Sequence, residues 1–506
     1  VKITHIHDLV ARQAVQSPAA LSIIDFDGRT YSYAVHQAAI EQAGVILRDH
    51  GVQQGDRVLL VAENCIVVTA FIFAASQTGA ICVPVNARMT QAELDRVLDH
   101  ATPRLVVYTT QASSEAATHA KRAVAATRMT DFGEFALITH SASNPVDDDE
   151  TAVILYTTGT TGTPKGVMLT HANLIFAGKT SANLRQMTPE DRLYGVLPLN
   201  HVFGLASMLM AASYCGASVQ LATRFQPARV FAALSDGVTI FPGVPQMHAL
   251  LMQYTHEQGL ERLENSKLHY VSSGAAPLDP AWKRKAEAFY GIALQNGYGM
   301  TESTAGICGT RNPKGLADTS VGPALPGIKI KLDLNVGAQG DDMTGEILTH
   351  GPHVMKGYFR NMVETAKVID EDGWLRTGDL GAIDAQGQLH VVGRCKELII
   401  RSGFNVYPPE VEAALNDDPD VIQSAVIGRA VEGSNEEILA FVQCADPAAI
   451  DLVRLEALAA SRLASYKRPS RIIPVTALPA AATGKILKHK LLSTFATLLA
   501  ETHPKD

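Results

Sequence analysis

At 506 residues the chain exceeds what one hydrophobic core usually serves, so two or more domains are expected. A content of 46% hydrophobic and 19% charged residues excludes a disordered chain, and a net charge of −8 excludes a general nucleic-acid binder, so any polyphosphate ligand must be gripped by local basic groups. Cys65, Cys82, Cys215, Cys308, Cys395 and Cys444 form no C-x-x-C pair, which excludes a zinc site or disulfide framework of that kind and points to a reducing cytoplasm.

Val1 to Gln16 lacks the apolar core of a signal peptide, and Ile6 to Gln16 carries apolar residues at helical spacing. Leu21 to Phe26 and Arg29 to Tyr33 read as a hairpin with a two-residue Asp27-Gly28 turn. Strand and helix then alternate: strand Arg57 to Val61, helix Ile66 to Gln77, strand Ala80 to Val85, helix Gln91 to His100, strand Leu105 to Tyr108. That rhythm predicts a parallel sheet covered on both faces. The most apolar run, Cys65 to Ala75, is about half a membrane span and reads as a buried helix, so no membrane span is expected. Gln111 to Asp149 is poor in pattern and reads as a solvated connection.

Next comes the apolar strand Ala152 to Tyr156, which empties into a loop, Tyr156 to Gly166, reading YTTGTTGTPKG. Gly159 and Gly162 let backbone N–H groups turn toward one concavity, Thr157, Thr158, Thr160 and Thr161 add hydroxyl donors, and Lys165 adds a movable positive charge. Such a loop is a phosphate cradle. It is not the G-x-x-x-x-G-K-[ST] loop of nucleotide kinases, since Pro164 precedes the lysine and Gly166 follows it. Further strands are predicted at Leu193 to Leu197, Ser218 to Ala222, Val238 to Phe241 and Leu268 to Ser272, with a β-rich stretch from Ile328 to Val392. Lys396 to Asp506 reads as a separate small α/β unit, with strands at Glu397 to Ile400, Ile422 to Ile427, Ile438 to Val442 and Ile472 to Val475 and helices starting at Pro409, Asp451 and Ile486.

The loop resembles the phosphate-binding signature of the adenylate-forming superfamily, which holds the acyl- and aryl-CoA synthetases, beetle luciferases and peptide-synthetase adenylation domains. Thr158 stands where the family usually has serine, which keeps the hydroxyl. The resemblance runs from about Ile6 to Leu492 and covers ordered motifs. It implies an α/β fold: a large N-terminal domain of doubly wound sheets with a β-rich subdomain (1–394), a hinge (395–396) and a small mobile α/β C-terminal domain (397–506).

The motif Asn296-Gly297-Tyr298-Gly299-Met300-Thr301-Glu302 offers a carboxylate beside a phosphate cradle, a use suited to Mg²⁺. In the family its Glu, here Glu302, holds the metal, its Thr, here Thr301, touches phosphate, and Tyr298 packs on adenine. Gly274, Ala275 and Ala276 follow a strand with small side chains, and the family uses the matching backbone in the adenine and acyl pocket. Asp379 and Arg394 lie on the two arms of a hairpin turned at Asp384 to Gly387; with the turn centred between Ala385 and Gln386 they become diagonal neighbours. A carboxylate and a guanidinium there form either a cross-strand ion pair or, as in the family, a ribose clamp.

The resemblance further makes Lys396 the hinge, sends the Gly403 region into a pantetheine tunnel, and makes Lys485, in Ala-Thr-Gly-Lys-Ile, the catalytic lysine. Tyr466 and Arg468 are either part of a coenzyme A nucleotide site or a solvated basic turn. Motif alignment places His201, Phe203, Ser207, Gly243, Ala275 and Gly299 around the carboxylic acid. Phe203 can form a flat wall for a ring, and His201 is either a gate or a core histidine. The segments Asn200 to Ser207 and Phe241 to Pro245 contain no Asp or Glu to pair an ammonium, which disfavours amino acids. The implied activity is an ATP-dependent acid:CoA ligase with ATP, Mg²⁺ and coenzyme A. An aromatic acid is preferred over a medium-chain fatty acid; a carrier-loading adenylase, a luciferase-like oxygenase and a non-catalytic nucleotide-binding regulator remain alternatives. A homodimer is left open.

Overall fold

The computed structural model describes residues 2–140, 145–146, 148–157, 165–274, 278, 280–336, 343–401, 404–431, 435–480 and 486–500. Its centre is the helix Ile66–Gln77, in which every residue from Ile66 to Ser76 is buried. A helix apolar on all sides must be enclosed on all sides. Here it packs in one cluster with Leu60 and Val107 from one sheet and Ile23, Leu193, Val219 and Ile240 from a second.

Each of those sheets has eight strands. The first is parallel through Thr151–Thr157, Ile81–Asn86, Arg57–Ala62 and Leu105–Tyr108, with antiparallel strands at both margins. The second is parallel through Leu21–Ile24, Ser218–Leu221, Arg192–Gly195, Ile240–Gly243, Tyr270–Ser273 and Leu294–Met300. An antiparallel sheet of four strands follows, Lys329–Asp333, Gly345–His350, Leu375–Ile383 and Leu389–Arg394, in the stretch expected to be β-rich. Beyond it Gln423–Val431, Asn435–Gln443 and Arg471–Val475 form a three-stranded sheet with its own apolar clusters. Among the described residues no helix is long and apolar enough to cross a membrane.

The Asp27-Gly28 hairpin is not a two-residue turn: Gly28 N–H donates to Asp25 O and Asp25 N–H to Arg29 O, and Gly28 sits at φ 88°. A type I turn closed by a left-handed glycine matches the twist of the flanking strands with one residue more. The segment read as a solvated connection folds into helix Ser114–Arg122 and strands Ala126–Thr130 and Gly133–Thr139. Only Ala116, His119 and Ala120 of that helix are buried, and small alanines leave a faint apolar stripe. Helix Tyr33–Asp49 went unread although Tyr33, His36, Ile40, Ala43 and Leu47 are buried at helical spacing. Glu397 ends a 3-10 turn, Cys395–Glu397, and the strand starts at Ile399. Ile486 makes an isolated bridge to Ala480, and the turn leading into the last helices opens at Lys488.

Candidate active site

Strands Ile240–Gly243, Tyr270–Ser273 and Leu294–Met300 run parallel in one register, Gly243 beside Ser273 and Ser273 beside Asn296. Their carboxyl ends therefore form one line, the place where an open parallel sheet offers a crevice to a ligand. Segments far apart in sequence meet there. The Phe203 ring lies against Gly274, where an added Cβ would stand 3.1 Å from Cε1. His201 caps the short turn Val202–Gly204, its Nδ1 accepting from Phe203 N–H at 3.3 Å. Ser207 is buried in a π-helix, Leu205–Met210, and its carbonyl accepts from the buried Arg185. A π-helical turn has no residue pattern of its own, so this feature was not legible.

His248 was also missed. It is fully buried on the helix Pro245–Glu257; its Nδ1 accepts from the Tyr290 hydroxyl at 2.8 Å and its Nε2–H donates to Ser272 O at 3.1 Å. An added Cβ on Gly243 would stand 2.8 Å from that Nε2. Gly243→Ala must therefore push a ring held at both nitrogens, and we expect a loss of about 1–3 kcal/mol of stability. Urea denaturation checks this; an unchanged midpoint would show the ring moves freely.

The strand Leu294–Met300 carries the next group of residues. Asn296 is buried, its side-chain amide donating to Ser320 O at 2.9 Å and Thr319 O at 3.3 Å while its Oδ1 accepts from Gly297 N–H at 2.9 Å. Its side chain thus braces the loop below the strand. At Gly299 an added Cβ would stand 1.6 Å from Ala305 O, so the return strand Ala305–Gly309 can close only on glycine.

Tyr298 reaches the four-stranded sheet, its hydroxyl donating to Asp379 Oδ2 at 2.6 Å. Burial, with the Asp379 charge adding to it, raises this phenol well above its usual value and keeps it a donor. Arg394 Nε stands 3.3 Å from Asp379 Oδ1. The two residues are directly opposite in the ladder rather than diagonal. The turn at Asp384 has the same left-handed glycine closure as the first hairpin, with Gly387 at φ 78°, and a bulge at Leu380/Gly381 adds a second register step. Asp379 is buried and the Arg394 side chain is 46% exposed, so the pair presents an acceptor from below and a donor at the rim.

Past Met300 the chain makes the 3-10 turn Thr301–Ser303, in which Thr301 is buried. Glu302 is fixed twice: its carbonyl accepts from Met355 N–H at 2.9 Å, and its Oε1 accepts from the Tyr358 hydroxyl at 2.9 Å. Lys165 pairs with Thr157 across a hairpin whose connecting residues 158–164, including Thr158, Gly159, Thr160, Thr161 and Gly162, lie outside the described residues. Its Nζ stands 4.9 Å over the Tyr358 ring and 2.6 Å from Glu364 Oε2. Among the described residues no three acidic, histidine or cysteine side chains could hold a metal. A lone fixed carboxylate fits Mg²⁺, which is commonly held by one or two carboxylates and substrate phosphates.

In the C-terminal part Lys396 is exposed at the middle of the 3-10 turn Cys395–Glu397. Tyr466 stacks on the half-exposed Phe404 at 4.7 Å, a pairing that no local sequence pattern signals. Arg468 donates to Leu463 O and Ala460 O, both at 3.0 Å, so its guanidinium caps the helix Leu452–Arg462. Lys488 bridges Glu397 at 3.2 Å and Glu412 at 2.8 Å, tying the 3-10 turn Cys395–Glu397 to the helix Pro408–Asn416. Ala275, Ala276, Gly403 and Lys485 lie outside the described residues.

Known proteins match this chain over nearly its whole length. Residues 10–359 match the family model of AMP-binding enzymes, and residues 410–485 match that of the AMP-binding enzyme C-terminal domain. A feruloyl-CoA synthase from Amycolatopsis sp is 32% identical over 96% of this chain and 98% of its own length. The crystal structure of ATP-bound MatB from Rhodopseudomonas palustris superposes with a TM-score of 0.84 at 31% identity, covering 98% of this chain and 100% of that one. O-succinylbenzoate coenzyme A synthetase from Bacillus subtilis, in complex with ATP and a magnesium ion, gives 0.80 at 27% identity over 96% and 98%. Full-length matches in sequence and in structure place the chain in the adenylate-forming family of AMP-binding enzymes.

Proposed function

We propose that the chain is an ATP-dependent carboxylic acid:CoA ligase acting on an aromatic acid of the hydroxycinnamate, ferulate or benzoate type. One observation carries the reading: a single strand, Leu294–Met300, delivers Tyr298 to the Asp379–Arg394 pair and leads straight into Glu302 beside Tyr358 and Lys165. The sugar-facing Asp379, on the strand Leu375–Ile383, and the phosphate-facing Glu302, in the turn Thr301–Ser303, are linked by this one strand, an arrangement that suits a nucleoside triphosphate. The feruloyl-CoA synthase relative, the Phe203 wall and the lack of an acid in the pocket segments support a neutral aromatic body.

Asp379 accepts from the ribose diol and Arg394 donates to it. Glu302 would hold Mg²⁺, which when bound would supply positive charge against the triphosphate. A carboxylate oxygen of the acid attacks the α-phosphorus in line, the bond to the bridging oxygen breaks, and pyrophosphate leaves with the electron pair. Lys485 stabilises the charge at the α-phosphate. The C-terminal unit (397–506) then turns about the hinge (395–396) relative to residues 1–394, and the coenzyme A thiolate attacks the acyl carbonyl, releasing AMP. Six free cysteines suit a cytoplasmic setting.

A coenzyme A consumption panel of benzoates, cinnamates and medium-chain fatty acids tests the reading. The largest kcat/KM is expected for a ring-bearing acid; thioester formation confined to aliphatic acids would overturn the aromatic assignment, and AMP release indifferent to coenzyme A would favour carrier loading.

A further inference from the structure

We propose that Glu364 is a built-in stand-in for the triphosphate, occupying Lys165 in the ligand-free protein so that ATP binds by displacing it. The inference rests on the reading of Lys165 as a phosphate ligand. Lys165 begins the strand Lys165–Thr170, where its backbone is fixed against Thr157, while its side chain remains 26% exposed. Its Nζ has been drawn to 2.6 Å from Glu364 Oε2, the contact expected of a charge-assisted hydrogen bond. A cation neutralised in this way attracts a phosphate less than a bare one, so the carboxylate and the phosphate compete for one ammonium.

Two features make Glu364 suited to yielding. It also pairs with Lys367, one turn along its own helix Met362–Val368, so the carboxylate keeps a counter-charge after Lys165 leaves. The lysine likewise keeps a partner, since its Nζ rides over the Tyr358 ring, whose hydroxyl holds Glu302. From one ring face, Lys165 is poised between the acid that sequesters it and the acid that would face the Mg²⁺–triphosphate. After the reaction Glu364 recaptures Lys165, which opposes retention of pyrophosphate.

The test is isothermal calorimetry on the full chain with Mg²⁺, using ATP, pyrophosphate and adenosine as probes in the absence of acid and coenzyme A. Glu364→Gln should tighten ATP and pyrophosphate about three- to fivefold, the scale of a partly exposed ion pair, and leave adenosine unchanged. Lys165→Met should weaken ATP, and adding Glu364→Gln to it should change nothing further. Glu364→Asp, whose shorter reach withdraws the carboxylate while keeping its charge, should shift ATP in the same direction and serves if the glutamine variant unfolds. Equal ATP binding by wild type and both Glu364 variants, or equal tightening in the Lys165→Met background, would overturn the stand-in alone. Absence of ATP binding by wild type would overturn the nucleotide reading itself.

Discussion

Replacing Lys485 by alanine slows acyl-adenylate formation roughly 10²–10³-fold, the usual loss for one charge-stabilising donor. Thioester formation from preformed acyl-adenylate keeps its rate. The asymmetry follows from the chemistry of the two steps. Negative charge builds around the α-phosphorus and on pyrophosphate while the carboxylate is attacking, whereas in thiolate attack the reacting centre is the acyl carbon and charge builds on the carbonyl oxygen and on the ester oxygen with which AMP leaves. On the proposed mechanism the lysine is therefore required in the adenylating pose and dispensable in the thioester-forming one. Lys396→Pro supplies the mirror image: proline fixes φ near about −65° at the exposed centre of the 3-10 turn, so the adenylate forms and then waits for coenzyme A. Rapid-quench measurement of each half-reaction separates the two variants. Equal losses in both steps for Lys485→Ala would end the assignment, and unaltered thioester formation in Lys396→Pro would end the hinge.

Acidification destabilises the fold by several kcal/mol between about pH 7 and about pH 5. Burial pushes His36 and His171 down to about 3, and His248 and His353 down to about 4, from the ordinary 6.5. The unfolded chain takes up these protons near 6.5 while the folded chain refuses them until 3 to 4, so stability rises with pH across that window and is lost as pH falls through it. Each such histidine costs about 2 kcal/mol at about pH 5. Asp25 works the other way, since burial raises its carboxyl to about 6 and the fold then retains a proton the unfolded chain releases. One carboxyl offsets less than one histidine at that pH, so the sum stays destabilising. Urea midpoints should fall steeply on acidification, and a flat profile would contradict the buried neutral histidines.

What could be read from the chain beforehand divides along physical lines. Strands buried on both faces, such as Arg57–Ala62 and Thr151–Thr157, declare themselves as continuous apolar runs, and helix Ile66–Gln77 does so by being apolar all round. Elements whose buried face is built from alanine, like Ser114–Arg122, or whose apolar stripe includes polar residues, like Tyr33–Asp49 with its buried His36, carry too little contrast. At the site, glycine-punctuated motifs were visible because backbone approach requires glycine, as the 1.6 Å clash at Gly299 illustrates.

Contacts between motifs were not visible. Tyr298 and Asp379 belong to different sheets, and the register that sets Asp379 directly opposite Arg394 includes a bulge at Leu380/Gly381 that no local pattern encodes. Glu364 and His248 were equally silent, because a glutamate in a helix first turn and a histidine in the first turn of a Pro-led helix are ordinary until the tertiary fold brings Lys165 and Gly243 to them.

The most direct test follows an oxygen atom. With the acid labelled by heavy oxygen in its carboxylate, and ATP, Mg²⁺ and coenzyme A supplied, attack on the α-phosphorus leaves one labelled oxygen in AMP when the thiol later cleaves the acyl C–O bond. Mass spectrometry should find labelled AMP in a one-to-one ratio with the aryl thioester. Formation of ADP, or AMP without label, would contradict an acyl-adenylate route.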